Sequence, residues 1–147
     1  MARVDVDYPE RTLFEHRIPV RITDLNYGNH LGHDTLVSLL HEARARCFKS
    51  FGMEEWNVEG AGVILVDLAV SYRAQVRYGQ TLRVEIAVGA VGSRGCDFLY
   101  RVTDAASGTI VALARTGILF YDYAAERVVA MPPRFRALLE TTPPLDA

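Results

Sequence analysis

The sequence predicts an α+β fold in which a curved antiparallel sheet wraps one long central helix. Three observations carry that prediction. Only residues 35–51 place apolar side chains at three- and four-residue steps. From residue 62 onward the apolar period becomes two and stays there through consecutive segments separated by turn residues. One more period-two segment precedes the helix. A single helix cannot cover both faces of such a sheet, so the sheet must bend around it and leave the other face to solvent or to a partner.

The first strand is read over residues 13–22. Phe14, His16, Ile18, Val20 and Ile22 share one face, and Glu15, Arg17, Pro19 and Arg21 share the other. Pro19 has no N–H to give to a ladder, which puts this strand at an edge or at a bulge. In the helix, Leu36, Leu39, Leu40, Ala43, Cys47 and Phe51 form the stripe, with Asp34 or Thr35 as N-cap and Gly52 just past the end. Arg44, Arg46 and Lys49 suit the negative end of its dipole. A loop over 52–62 holds the single tryptophan, Trp56.

The second strand, 62–74, sets Ile64, Val66, Leu68, Val70 and Tyr72 on one side and Asp67, Ser71 and Arg73 on the other. A turn at 77–80 leads to a third strand with Leu82, Val84, Ile86 and Val88 facing in and Arg83 and Glu85 facing out. Residues 96–103, 109–121 and 127–131 are read as the fourth, fifth and sixth strands. Pro132 and Pro133 stop the last, and 134–140 make a final helical turn or two. Val63, Leu65 and Ala69, with Ala112, Ala114 and Thr116, are expected to leave the outer face partly apolar, which suggests a two-fold homodimer.

The 147 residues suit one domain, 1–147, with 1–10 as a loose arm. A net charge of −2 gives no argument for nucleic acid or an anionic membrane as partner. Apolar runs such as 63–66 are far too short to span a bilayer, and MARVDVDYPERT has no apolar core of a signal peptide. Cys47 and Cys96 are no disulfide framework and read as reduced thiols in a cytoplasmic protein.

The stretch ITDLNYGNHLGHD, residues 22–34, concentrates polar chemistry between strand and helix and carries two of the four histidines, His30 and His33. Such junctions on a rigid scaffold are where sites are commonly built. Backbone N–H groups of Gly32, His33 and Asp34 at the helix start are candidate oxyanion donors. Gly28 and Gly32 permit close approach of a ligand, or simply make the turn. Asn26 cannot take a proton, so it positions a water or a carbonyl. His30 is the candidate base, with Asp24 to orient it; against that stands the reading that Asp24 and Asn26 only cap the turn. Asp67, interrupting ILVDLAV, is a further candidate acid that either reaches a partner's site or pairs with an arginine across the interface. His30 and His33 lack a third ligand, so no metal is expected, and no cofactor.

The order of elements, the Asp24-Leu25-Asn26-Tyr27-Gly28-Asn29-His30-Leu31-Gly32-His33 run and YGQTLRVE at 78–85 resemble the hot-dog thioesterases over roughly residues 12–140. The likeness is to the 4-hydroxybenzoyl-CoA thioesterase type and to acyl-carrier-protein thioesterases. Asp24 matches the first acid of their D-x-D motif and His30 the histidine. The catalytic second acid is replaced by Asn26, and the carrier-protein group's asparagine by Gly28. The resemblance implies hydrolysis of an acyl thioester of CoA or an acyl carrier protein, no metal, and a dimer or tetramer with its site at the subunit interface. Leu36, Leu39 and Leu40 would line the acyl pocket. An acyl-binding protein without turnover and a hydratase or dehydratase are the alternatives.

Overall fold

The computed structural model describes residues 2–145. The chain runs β1 (Phe14–Pro19), a 3-10 turn (Ile22–Asp24), α1 (His33–Ser50), β2 (Gly62–Tyr72), β3 (Thr81–Gly89), β4 (Gly95–Asp104), β5 (Ile110–Asp122), β6 (Arg127–Val128) and α2 (Pro133–Thr141). The strands form one antiparallel sheet of order β1-β3-β4-β5-β2, with β6 added on β5. The sheet curves around α1, which is the hot-dog arrangement.

Alternation decides which side chains meet the helix. Ile18, Leu82, Val84, Ile86, Phe98, Tyr100 and Val102 face inward and are buried, as are Leu36, Leu40, Ala43, Cys47 and Phe48 of α1. Phe48 stacks on Phe98 at 5.5 Å and on Phe135 of α2 at 5.3 Å, and Phe135 meets Phe120 edge-on at 5.1 Å. The short second helix thus closes one end of the core. Both cysteines lie in this core, where burial pushes each thiol up to about 12. Pro19 does stand on an edge strand.

The structure departs from the sequence reading in several places. On β2 the register with β5 slips between Leu65 and Asp67. The bulge at Val66 inverts the alternation, so Val63 and Leu65 share the inner side with Leu68, Val70 and Tyr72. Ala112, Ala114 and Thr116 are likewise inner residues and fully covered, not an outward apolar patch. Ile22 leaves β1 altogether and is exposed in the 3-10 turn, and the sixth strand is only two residues long. The helix starts at His33, with Gly32 as its cap; Asp34 sits in the first turn, where its Oδ1 accepts the Thr35 N–H.

The N-terminal arm is irregular but held. Glu85 and Arg101 are cross-strand neighbours on the outer face, joined by bonds of 3.1 and 3.0 Å. Thr12 donates to the same carboxylate at 2.9 Å, the Arg101 guanidinium lies 4.6 Å over the Tyr8 ring, and Val6 is buried. Covering a paired charge with an aromatic ring is what binds this arm to the sheet.

Phe48 is the residue on which the ring stack converges. Phe48→Ala is expected to cost about 3–5 kcal/mol in urea denaturation, the usual loss for a buried aromatic; a loss below about 1 kcal/mol would show that the stack does not organise the core.

Candidate active site

The run between β1 and α1 folds into a tight knot. Asn26 N–H donates to the His30 carbonyl at 2.9 Å and Asn29 N–H to the Asn26 carbonyl at 3.0 Å, closing a turn whose last residue, Asn29, has φ +62°. Asn26 Oδ1 accepts the Gly28 N–H at 2.9 Å. Leu31 N–H donates to the Val76 carbonyl at 2.8 Å and the Arg77 guanidinium to the Asn29 carbonyl at 3.1 Å, which fastens the knot to the segment after β2.

Asp24 belongs to this scaffold. It is 2% exposed, takes the Arg21 N–H at 2.8 Å, and meets the Arg21 guanidinium at 3.0 Å. Those hydrogen bonds hold its carboxyl below the usual carboxylate range against the opposing effect of burial. Its carboxylate engages Arg21, so the expected Asp24–His30 couple is not formed. Gly32 is also committed: its N–H donates to the Asp24 carbonyl at 3.2 Å. The N–H groups of His33 and Asp34, the first two of α1, have no protein acceptor among the described residues.

His30 Nδ1 lies 3.3 Å from the Leu31 carbonyl oxygen. With the proton on Nδ1 this contact is a hydrogen bond and Nε2 keeps its lone pair. The ring packs over Gly28, where a Cβ would stand 2.9 Å from Nε2. Only glycine leaves that space, so its place in the motif is steric as well as conformational.

Asn26, His30 and His33 form one wall of a pocket of about 380 Å³, and Tyr72, Arg73 and Gln75 form the other. Tyr72 donates to the His33 carbonyl at 2.8 Å, tying the helix start to the end of β2. Burial, with the negative charge of Asp34 nearby, raises its phenol above the usual value, so it stays a donor. Among the described residues no carboxylate side chain lines the pocket. Tyr72, Arg73 and Gln75 were missed by sequence reasoning; the polar stretch SYRAQ closing an apolar strand was the available signal.

The remaining candidates fall elsewhere. Leu36 is core; Leu39 lines a groove on the β1 flank of the helix; Leu40 lines a separate pocket on the β2 flank. None of the three touches the 380 Å³ pocket, because the stripe they form is the one that packs on the sheet. Asp67 Oδ1 accepts the Gly117 N–H and the Arg115 guanidinium, each at 2.9 Å, so its arginine comes from its own chain. Among the described residues no group of three or more His, Cys, Asp or Glu is placed to hold a metal ion, and no helix is long and apolar enough to cross a membrane.

Residues 20–139 match the model of the thioesterase-like superfamily. Among solved structures, a 1,4-dihydroxy-2-naphthoyl-CoA thioesterase from Synechocystis superposes with TM-score 0.80 at 17% identity, covering 87% of this chain and 96% of that one. A hypothetical protein from Staphylococcus aureus, solved in complex with CoA, gives 0.81 at 15% identity over 96% and 92%. A DHNA-CoA thioesterase from the same organism gives 0.75 at 16% identity over 86% and 85%. No curated protein matches the chain.

The Asp24 assignment has a pH signature. A carboxyl held below its usual 3.8 adds stability that is present above that value and lost as pH falls through the lower, folded-state value. Asp24→Asn is expected to lose about 1–3 kcal/mol at pH 7, with the gap to wild type closing below about pH 4. Denaturation curves across that range check it; a gap independent of pH would show that the ion pair contributes nothing.

Proposed function

We propose, since the chain belongs to the thioesterase-like superfamily, that it hydrolyses acyl thioesters of CoA or of an acyl carrier protein in the pocket at the start of α1. The observation that carries the reading is that Asn26, His30 and His33 line one pocket at the helix start, where the N–H groups of His33 and of the next residue, Asp34, are unengaged among the described residues.

The thioester carbonyl oxygen points at the helix start, where two donors and the dipole stabilise the negative charge that develops on it. The Asn26 side-chain NH₂, its oxygen already bound by Gly28, orients the attacking water. His30 Nε2 takes the water proton as the C–O bond forms. When the tetrahedral intermediate collapses, the C–S bond breaks and the same imidazolium returns the proton to the leaving sulfur. Arg73 on the pocket wall, Arg77 bonded to Asn29, and Arg3 bonded to the Tyr72 carbonyl have no carboxylate partner among the described residues. They suit the phosphate that both carriers bear on pantetheine. Support for the CoA arm comes from the S. aureus protein that holds CoA on the same fold.

The absence of a carboxylate in the pocket favours a second reading, an acyl-thioester-binding protein without turnover.

We also propose that the unit is a two-fold dimer formed by β2. This strand is eleven residues long and stands at a sheet edge. It exposes Leu65 (48%), Val66 (55%) and Leu68 (47%). A long apolar edge with unpaired backbone groups is what soluble proteins cover.

A panel of acyl-CoAs assayed for free thiol should show turnover, and His30→Ala should lower kcat by about 10² to 10⁴. Full rate in that variant would remove His30 as the base, and tight binding without thiol release would favour the second reading. Sedimentation should give a dimer mass for the wild type and a monomer for Leu68→Lys; an unchanged mass would exclude the β2 edge.

A further inference from the structure

Farther along the helix, on its β2 flank, lies a second pocket of about 170 Å³ lined by Leu40, His41, Arg44, Leu65, Leu68 and Thr116. At about 30 Å³ per water-sized group it holds five or six heavy atoms. Val37, Leu40, Leu65 and Leu68 make its apolar walls and Ser38, His41 and Thr116 add polar atoms, but the one fixed charge is that of Arg44. Arg44 is 3% exposed, an unusual position for an arginine on the buried stripe of a helix. Its Nε donates to Glu55 at 3.0 Å and its Nη1 to the Tyr100 hydroxyl at 3.3 Å, which in turn lies 2.8 Å from Thr116 Oγ1. Nη2 has no protein partner among the described residues. Every fully enclosed side-chain nitrogen and oxygen described in this protein does have one, so Nη2 opens onto the pocket.

The two pockets share no lining residue and are separated by the Tyr72–His33 hydrogen bond, but they border the same two elements. α1 runs from His33 to Arg44 while β2 runs back from Tyr72 to Leu65, and both pockets are bounded by this helix–strand pair. Ten or eleven residues of helix span about 16 Å, and an arginine side chain leans back toward the helix start, which leaves roughly 10 Å between a thioester at His33 and the Arg44 guanidinium. The charge of Arg44 is already balanced by Glu55, so a second carboxylate there would be buried without compensation, whereas a neutral oxygen would complete the guanidinium's hydrogen bonding.

We propose that Arg44 is a specificity-determining residue: the preferred substrate is an acyl thioester whose far end, about eight atoms from the carbonyl, carries an uncharged hydrogen-bond acceptor that Nη2 binds. This rests on the thioesterase reading for the reaction, but the recognition is a property of the pocket alone.

The test uses the full chain and two measurements. Thiol release is followed with butyryl-, octanoyl-, 8-hydroxyoctanoyl- and octanedioyl-CoA, and calorimetric binding with the thioether analogues of the three longer ones. The 8-hydroxy compound should exceed octanoyl by about tenfold or more in kcat/KM and in affinity, the worth of a hydrogen bond from a charged donor. Arg44→Met should bring that ratio to about one, with butyryl-CoA, too short to reach it, as the reference rate within each variant. Because Arg44→Met removes a buried ion pair and can impair folding, Val37→Trp, on the helix wall of the pocket and away from both the Arg44–Glu55 pair and the β2 edge, should abolish the preference independently. Equal rates and affinities for octanoyl and 8-hydroxyoctanoyl, as when a partner subunit's side chain fills the pocket, overturn the proposal, and so does a preference for octanedioyl. Selective thioether binding without thiol release supports it while removing the hydrolase reading; turnover without selectivity does the reverse.

Discussion

The burial of α1 along a single stripe is the constraint from which the site follows. Leu36, Leu40, Ala43, Cys47 and Phe48 pack against the concave face of the sheet, and that packing fixes both the axial position of the helix and its rotation. Once the rotation is fixed, the helix start stands beside the end of β2, and the first two N–H groups have no acceptor among the described residues. The same rotation carries Arg44, which shares the stripe, into the space between α1 and β2. A guanidinium there is tolerable only because Glu55 reaches in from the loop after the helix and Tyr100 rises from β4 to meet it. Core and site are thus two consequences of one packing solution.

Most of the architecture was legible because periodicity is read directly from hydrophobic burial. The change from a 3.6-residue period to a period of two fixed the single helix, the meander that follows it and the inner residues of β3. What was not legible came from interactions that periodicity does not encode. The slip on β2 depends on one side-chain carboxylate finding one backbone amide across the sheet. Arg44 and Phe48 broke the apolar stripe as it was read, one because its charge argued for the surface, the other because Phe51 stood in a similar phase. The arm before β1 looked loose because its anchors, Glu85 and Arg101, are more than seventy residues away.

The ITDLNYGNHLGHD stretch shows the same division on a smaller scale. Its concentration of short polar residues marked a site, yet much of that polarity serves the turn. Asp24 is engaged with Arg21, the oxygen of Asn26 with Gly28, the amide of Gly32 with the Asp24 carbonyl. Residues of this kind favour turns because their side chains replace backbone acceptors, and a turn this tight needs several of them. His30, His33 and the helix amides are left over after that accounting. No carboxylate side chain among the described residues lines the pocket, so under the proposed hydrolase reading proton transfer falls to the His30 imidazole, whose ring lies against the Leu31 carbonyl and the bare Cα of Gly28.

The bulge at Val66 links the edge strand to the second pocket. Asp67 bends its side chain back onto the Gly117 N–H, and a Cβ at position 117 would stand 2.7 Å from that oxygen, so glycine there is what allows the capture. The captured carboxylate sits at the point where β2 carries an extra residue, and the alternation restarts one position late. Without the slip, Leu65 and Leu68 would lie on opposite faces. With it they lie on the same inner side, three residues apart, and together form the apolar wall opposite His41 and Arg44. The extra residue also turns Val66 outward at the sheet edge, adding apolar surface where β2 has no neighbour. A single aspartate, placed where the sequence offers no periodic reason for it, therefore sits where the cavity on one side of the strand meets the exposed apolar edge, so the proposed acyl selection and the proposed dimer both depend on the same local geometry.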